Sequence, residues 1–200
     1  MRVPFVRHPL RAAVPALAVL AAAAAPAGAV DITGAGSSFA APLYGAWGSG
    51  AKSADGIALN YQAIGSGAGQ NQVMARTVDF GASDAPVAHV KLVSNRLIQF
   101  PTAMGGVVPI VNLPGISSNQ LHLTGEVLSG LFSGAITQWN DPKIAALNPG
   151  VKLPETAVAP VHRADGSGTT FVFTSYLSKV DPTWKSKVGA ASSVSWPAGA

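Results

Sequence analysis

From residue 30 onward the apolar positions come in short runs, each closed by glycine and serine before a helix-like stretch begins. Asp31-Ile32-Thr33 leads into Gly-Ala-Gly-Ser-Ser (34–38) and then a helical pattern over 39–52. Ile57 to Ile64 leads into Gly-Ser-Gly-Ala-Gly (65–69) and then 70–78, and Val78-Asp79-Phe80 leads into Gly-Ala-Ser-Asp-Ala-Pro (81–86). Val158 to His162 leads into Arg-Ala-Asp-Gly-Ser-Gly-Thr-Thr (163–170) and an apolar stretch over 171–180. Short apolar runs bounded by turn residues read as strands, and strands alternating with helices predict an α/β fold with largely parallel strands. Four loops would then lie at the carboxyl ends of strands, where open α/β sheets bind ligands.

Between these units the pattern changes. Residues 99–115 form an apolar extended run with paired glycines, read as a crossover between two lobes. Residues 123–150 read as two short helices punctuated by Gly and Pro. Thr124 is followed three residues later by Val127 rather than an acid, so no capping box marks the first of them. Trp47, Trp139, Trp184 and Trp196 fall at helix-like positions and are expected in the core.

Residues 1–29 stand apart. Arg2, Arg7 and Arg11 precede the alanine-rich run from Ala12 to Ala25, and Ala27-Gly28-Ala29 offers a small-x-small cleavage site. That is the layout of a secretory signal peptide, with an apolar run too short to span a membrane. Without it the chain keeps ten basic and nine acidic residues, a net charge of +1, and no basic patch that would suit nucleic acid. There is no cysteine, so an exported chain must hold itself together by its apolar core and carries no lipid-modified thiol after the leader. A freely soluble periplasmic protein is the expectation.

The loops carry the candidate chemistry. A Ser/Thr/Gly loop entering a helix offers unpaired N–H groups and the positive end of the helix dipole. One such loop is ordinary capping; several at equivalent strand ends suggest a shared anion site. Arg163 opens its loop, and a guanidinium grips a tetrahedral oxyanion with two parallel hydrogen bonds. Asp165 is placed to orient that arginine and partly neutralise it. Asp84 would repel a fully ionised anion but would accept the proton of hydrogen phosphate, and so reject sulfate. Enzymatic readings are thin: His89, His122 and His162 are scattered, no metal-ligand spacing occurs, and no nucleophile elbow or P-loop is present. An exported phosphatase-like hydrolase using Ser66 or Ser167, and a surface interaction module on the same fold, remain the alternatives.

Together these motifs resemble the periplasmic phosphate-binding proteins of Pst-type ABC transporters. The stretches at 33–44, 60–69, 78–86, 100–115, 146–154 and 163–180 occur in that family's order. The resemblance implies a two-lobed α/β periplasmic binding protein fold, type II-like, with no cofactor, no metal and no covalent chemistry. Residues 30–104 would form the first lobe and 105–200 an incomplete second, because family members are nearly twice as long. It implies phosphate contacts from Ser38, Phe39, Ser66, Asp84, Arg163, Ser167, Gly168 and Thr169, with Asp165 orienting the arginine. Ser38 stands where a threonine is frequent and Gly67 where a second serine is common. The implied partners are inorganic phosphate and an inner-membrane ABC permease.

Overall fold

The computed structural model describes residues 30–199; the expected leader lies outside the described residues. Among them, three parallel strands form one sheet. The strands are β1 (Asp31–Gly36), β2 (Ala58–Gln62) and β3 (Phe80–Ala82), in the order β2-β1-β3. Helix α1 (Ala41–Asp55) joins β1 to β2, α2 (Ser66–Met74) carries the chain to β3, and α3 (His89–Ser94) follows. Because β2 and β3 lie on opposite sides of β1, the carboxyl ends of the strands open into the crevice such a reversal creates.

Local sequence explains this packing. Gly34 begins the buried half of β1 and is paired with Tyr61 on β2 and Phe80 on β3. Having no side chain, Gly34 leaves room for those two rings to stack over it, 5.9 Å apart at 16°; a methyl group there would run into the Phe80 ring. Tyr44 of α1 closes the cluster edge-on, 5.0 Å from Tyr61 and 5.7 Å from Phe80. Pro42 sits in the first turn of α1, where its missing N–H costs nothing, and Gly56 ends that helix in the left-handed region at φ 70°.

The later residues are helical. Helices α4 (Gly125–Ser133), α5 (Pro142–Leu147), α6 (Gly168–Val180) and α7 (Pro182–Lys187) surround a core of Val127, Leu128, Leu131, Ile136, Ile144, Leu177 and Trp184. Polar caps define their starts. Thr124 accepts from Val127 N–H, so a lone threonine starts α4 without a capping box; Asp141, Ser167 and Asp181 cap the other three. Asp181 does double duty: one oxygen accepts from Thr183 N–H at 2.7 Å and the other from Ser129 Oγ at 2.5 Å, tying α7 to α4. The Ser129 hydroxyl, followed by the amide bonds of α7, holds the Asp181 carboxyl below the ordinary range.

Two expectations need correction. Residues 158–162 form no strand: Gln138 and Ala157 make an isolated antiparallel bridge, flanked by bonds from Val158 N to Thr137 O (2.8 Å) and from Trp139 N to Thr156 O (3.0 Å). An apolar run becomes a strand only against a sufficient edge, and residues 137–139 offer just this short one. The fourth loop therefore follows an irregular segment. Trp47 is not core; it lies 48 % exposed on α1, tilted against Tyr44, whereas Trp184 is buried and Trp139 and Trp196 pack at the core's margin. The run 99–115 is neither helix nor strand and is mostly exposed, Met104 and Ile110 almost fully. It is fastened near its start by Tyr44 Oη to Thr102 Oγ1 (3.0 Å) and by Gln99 Oε1 accepting from Val87 N–H (2.8 Å).

Candidate functional site

Four loops meet above the carboxyl end of the sheet. The β1 loop brings Ser37 and Ser38, the β2 loop Gly65 and Ser66, the β3 loop Ser83 and Asp84, and the segment before α6 brings Arg163 to Ser167. Backbone bonds fix the first three: Ser37 N–H donates to Ala82 O and Gly65 N–H to Gly36 O, each at 2.9 Å. The fourth is joined to the second by Gly67 N–H donating to Gly166 O at 2.9 Å. A glycine is required where α6 begins. A methyl on Gly168 would overlap Ser66 Oγ and lie 2.7 Å from Asp84 Cβ and 2.8 Å from Asp84 N. Only a bare α-carbon lets the α6 terminus approach the β3 loop this closely.

Arg163 is bonded to Asp165 in its own loop and to Ser38 in the β1 loop. Its Nε donates to Asp165 Oδ1 at 2.6 Å, its Nη2 to Asp165 Oδ2, and its Nη1 to Ser38 Oγ at 2.9 Å. The fork-on-carboxylate geometry fixes the guanidinium plane and balances its charge. Hydrogen bonding to Arg163 depresses the Asp165 carboxyl, and hydrogen bonding to Asp165 raises Arg163 in turn.

Asp84, on the β3 loop, centres a second hydrogen-bonded group. Its Oδ1 accepts from Ser37 Oγ, its Oδ2 from Thr169 Oγ1 at 3.2 Å, and its own N–H donates to Ser66 Oγ at 3.3 Å. Each hydroxyl has one proton to give. Ser66 and Ser38 are acceptors in these bonds, so both keep their protons for a ligand. Ser167 spends a lone pair on Thr170 N–H (3.2 Å) as the α6 cap, and likewise keeps its proton. The amides of Gly168 and Thr169 lie in the first turn of α6, which has no intrahelical acceptors.

The structure thus brings Ser38, Arg163 and Asp165 into one hydrogen-bonded group and Ser66, Asp84 and Thr169 into another through Ser37, the two joined by the Ser37–Ser38 peptide, with Gly168 close against the second and Ser167 buried as the α6 cap. Phe39 is at their edge, 42 % exposed, its ring against Gly105. Two members escaped the sequence. Ser37, 1 % exposed, binds Asp84, and Tyr61 Oη donates to Ser37 O at 2.7 Å. The doubled serine at 37–38 was a signal that both face the site, but which carboxylate Ser37 meets depends on β3 lying beside β1. Among the described residues no group of three or more His, Cys, Asp or Glu could hold a metal.

The arrangement provides neutral donors, one charge-balanced arginine and one carboxylate acceptor. It suits a small oxyanion that carries a proton. The chain is 55 % identical over 168 residues to the phosphate-binding protein PstS of Pasteurella multocida, covering 84 % of this chain and 49 % of that one. It is 51 % identical over 169 residues to the phosphate-binding protein PstS of Haemophilus influenzae, covering 84 % and 51 %. The PstS of Xylella fastidiosa is 52 % identical over 170 residues, covering 85 % and 47 %. The chain therefore spans about half the length of the curated relatives it matches. Residues 21–199 match the PBP superfamily domain, and with a match of that extent over an α/β framework, the chain belongs to the PBP superfamily.

Proposed function

We propose that this chain captures inorganic phosphate as the binding component of an ABC transporter, delivering it to a membrane permease without chemical turnover. The observation that carries the reading is Asp84, a carboxylate that accepts from Thr169 and Ser37, with the next residue, Ser38, bonded to an arginine already balanced by Asp165. A protonated phosphate oxygen donates to Asp84 while its other oxygens accept from Ser38, Ser66, Ser167, Thr169, the α6 amides and Arg163. Sulfate at neutral pH has no proton to give, so the same carboxylate repels it. Micromolar or tighter binding, about −8 kcal/mol or better, is the expectation for a receptor of this class.

Capture without turnover follows from the serines' surroundings. Neither Ser66 nor Ser167 has a histidine or lysine among its hydrogen-bond partners, so no base activates either as a nucleophile. Among the described residues no helix is long and apolar enough to cross a membrane. With the leader pattern at 1–29, a periplasmic location and an inner-membrane permease as partner complete the reading. Calorimetric titration of the Asp84→Asn chain with phosphate and with sulfate tests it. An amide donates to either anion, so the variant should lose its preference for phosphate; an unchanged preference would remove the proton-reading role of Asp84.

A further inference from the structure

Ser37 is more deeply buried than Ser38, its neighbour in the loop, and its hydroxyl has no freedom. Ala40 N–H donates to Ser37 Oγ at 3.2 Å, and the hydroxyl donates its single proton to Asp84 Oδ1. The residue's backbone is fastened on both sides: its N–H to Ala82 O on β3 at 2.9 Å, its carbonyl to Tyr61 Oη on β2 at 2.7 Å. Burial, then the neighbouring Tyr44 and Asp84 oxygens, push the Tyr61 phenol well up, so it stays a proton donor throughout the working pH range. Ser37 is thus clamped to β2, β3 and the start of α1, with its one proton committed to Asp84.

A carboxylate turns easily about its last bond, because that torsion has broad, soft wells. On the Oδ2 side, among the described residues, Asp84 has only the Thr169 hydroxyl at 3.2 Å, a group that must itself turn towards a ligand to bind it. The Ser37 contact is therefore what keeps the carboxylate facing the cleft when Thr169 lets go. We propose that Ser37 is the positioning residue for Asp84: by holding Oδ1 it presents Oδ2 to the proton of a tetrahedral oxyanion, and so sets the preference for hydrogen phosphate or hydrogen arsenate over fully ionised sulfate. This rests on the oxyanion-receptor reading of the site.

The exchange keeps every polar group satisfied. When hydrogen phosphate enters, Thr169 redirects its proton to a ligand oxygen and the ligand's O–H takes its place on Oδ2. Sulfate draws the Thr169 proton but returns none, leaving Oδ2 facing oxygen. With Ser37 held in place the carboxylate cannot rotate out of that repulsion. Without the Ser37 hydroxyl it can, which weakens phosphate and relieves sulfate.

The test is a double-mutant cycle read by calorimetry with phosphate and sulfate, using Ser37→Ala, Asp84→Asn and the pair together. Loss of a hydrogen bond to a charged group predicts that Ser37→Ala lowers the phosphate-to-sulfate affinity ratio about ten-fold. In the Asp84→Asn background the same change should leave the ratio where it is, because the group Ser37 positions is gone. Equal weakening of both anions, or the same loss in both backgrounds, would make Ser37 a structural residue and overturn the proposal. A parent chain that binds neither anion would instead overturn the receptor reading. Should Ser37→Ala lack a cooperative thermal transition, Tyr61→Phe loosens the Ser37 carbonyl without removing any hydrogen bond of Asp84. It should lower the ratio by a smaller factor, and no change in the ratio would overturn the proposal by that route.

Discussion

Two glycines, one at the start of α6 and one inside α1, should respond to the same substitution with opposite sign. A methyl group on Gly45 meets nothing within 4 Å, so Gly45→Ala gains helix propensity, up to about 1 kcal/mol. A methyl on Gly168 overlaps Ser66 Oγ and presses on Asp84 Cβ (2.7 Å) and Asp84 N (2.8 Å). Two of those three neighbours belong to Asp84 on the short β3 loop, which is pinned by Ser37 N–H to Ala82 O, so relief requires the α6 terminus to move. Overpacking of this kind costs about 1–3 kcal/mol, and the small propensity gain at a first-turn position does not offset it. At about 2–4 °C per kcal/mol for a chain of this size, Gly168→Ala should lower the melting temperature by about 2–12 °C while Gly45→Ala raises it slightly. The shift of α6 also lengthens the bond from Thr169 Oγ1 to Asp84, so phosphate affinity should fall in Gly168→Ala alone. Differential scanning calorimetry and titration of both variants decide the matter. Equal melting temperatures for the two, or full phosphate affinity in Gly168→Ala, would refute the claim that close approach of α6 to the β3 loop builds the site.

Other consequences are smaller or simpler. Arg163→Lys keeps the charge but cannot direct three N–H groups at Asp165 and Ser38 together, and should weaken phosphate about ten-fold by calorimetry. Asp165 is held below the usual carboxylate range by hydrogen bonding to Arg163, so its contribution to stability is fully present above about pH 4 and is lost as pH falls through the lower folded value. Urea unfolding should therefore show Asp165→Asn less stable than the parent at pH 7, by under about 1 kcal/mol for so exposed a pair, with the gap closing in acid; a gap that persists unchanged would be contrary. Leu177→Ala, at a fully buried core position, should cost about 2–5 kcal/mol in the same assay and leave the phosphate-to-sulfate ratio unaltered in whatever fraction remains folded.

Much of this site was legible because local signals and tertiary needs coincide in it. The Gly/Ser loops after β1 and β2 each end a strand and lead into a helix, and the loop after β3 ends a strand, so these strands and their loops are visible as punctuation along the chain. Arg163 and Asp165 were readable as a pair because they are two residues apart in one loop. Residues 158–162 were misread as a strand because an apolar run records a preference for extended backbone, not the presence of an edge to pair with. Trp47 misled for a related reason: its spacing is helical, but the stripe it belongs to is set by Tyr44, whose ring takes the inward place against Tyr61 and Phe80. Ser37 was hidden by the order of the strands. Its bond to Asp84 spans 47 residues and exists only because β3 returns beside β1 rather than beside β2.

The central claim is that the cluster around Asp84 and Arg163 holds a protonated oxyanion. Titration of the chain with phosphate and, separately, with sulfate at neutral pH tests it most directly, on a sample first shown to unfold cooperatively. Heat from phosphate at micromolar concentration and none from sulfate is the predicted result. Equal heats would reduce the cluster to a general anion site, and a folded sample silent to phosphate would contradict the account outright.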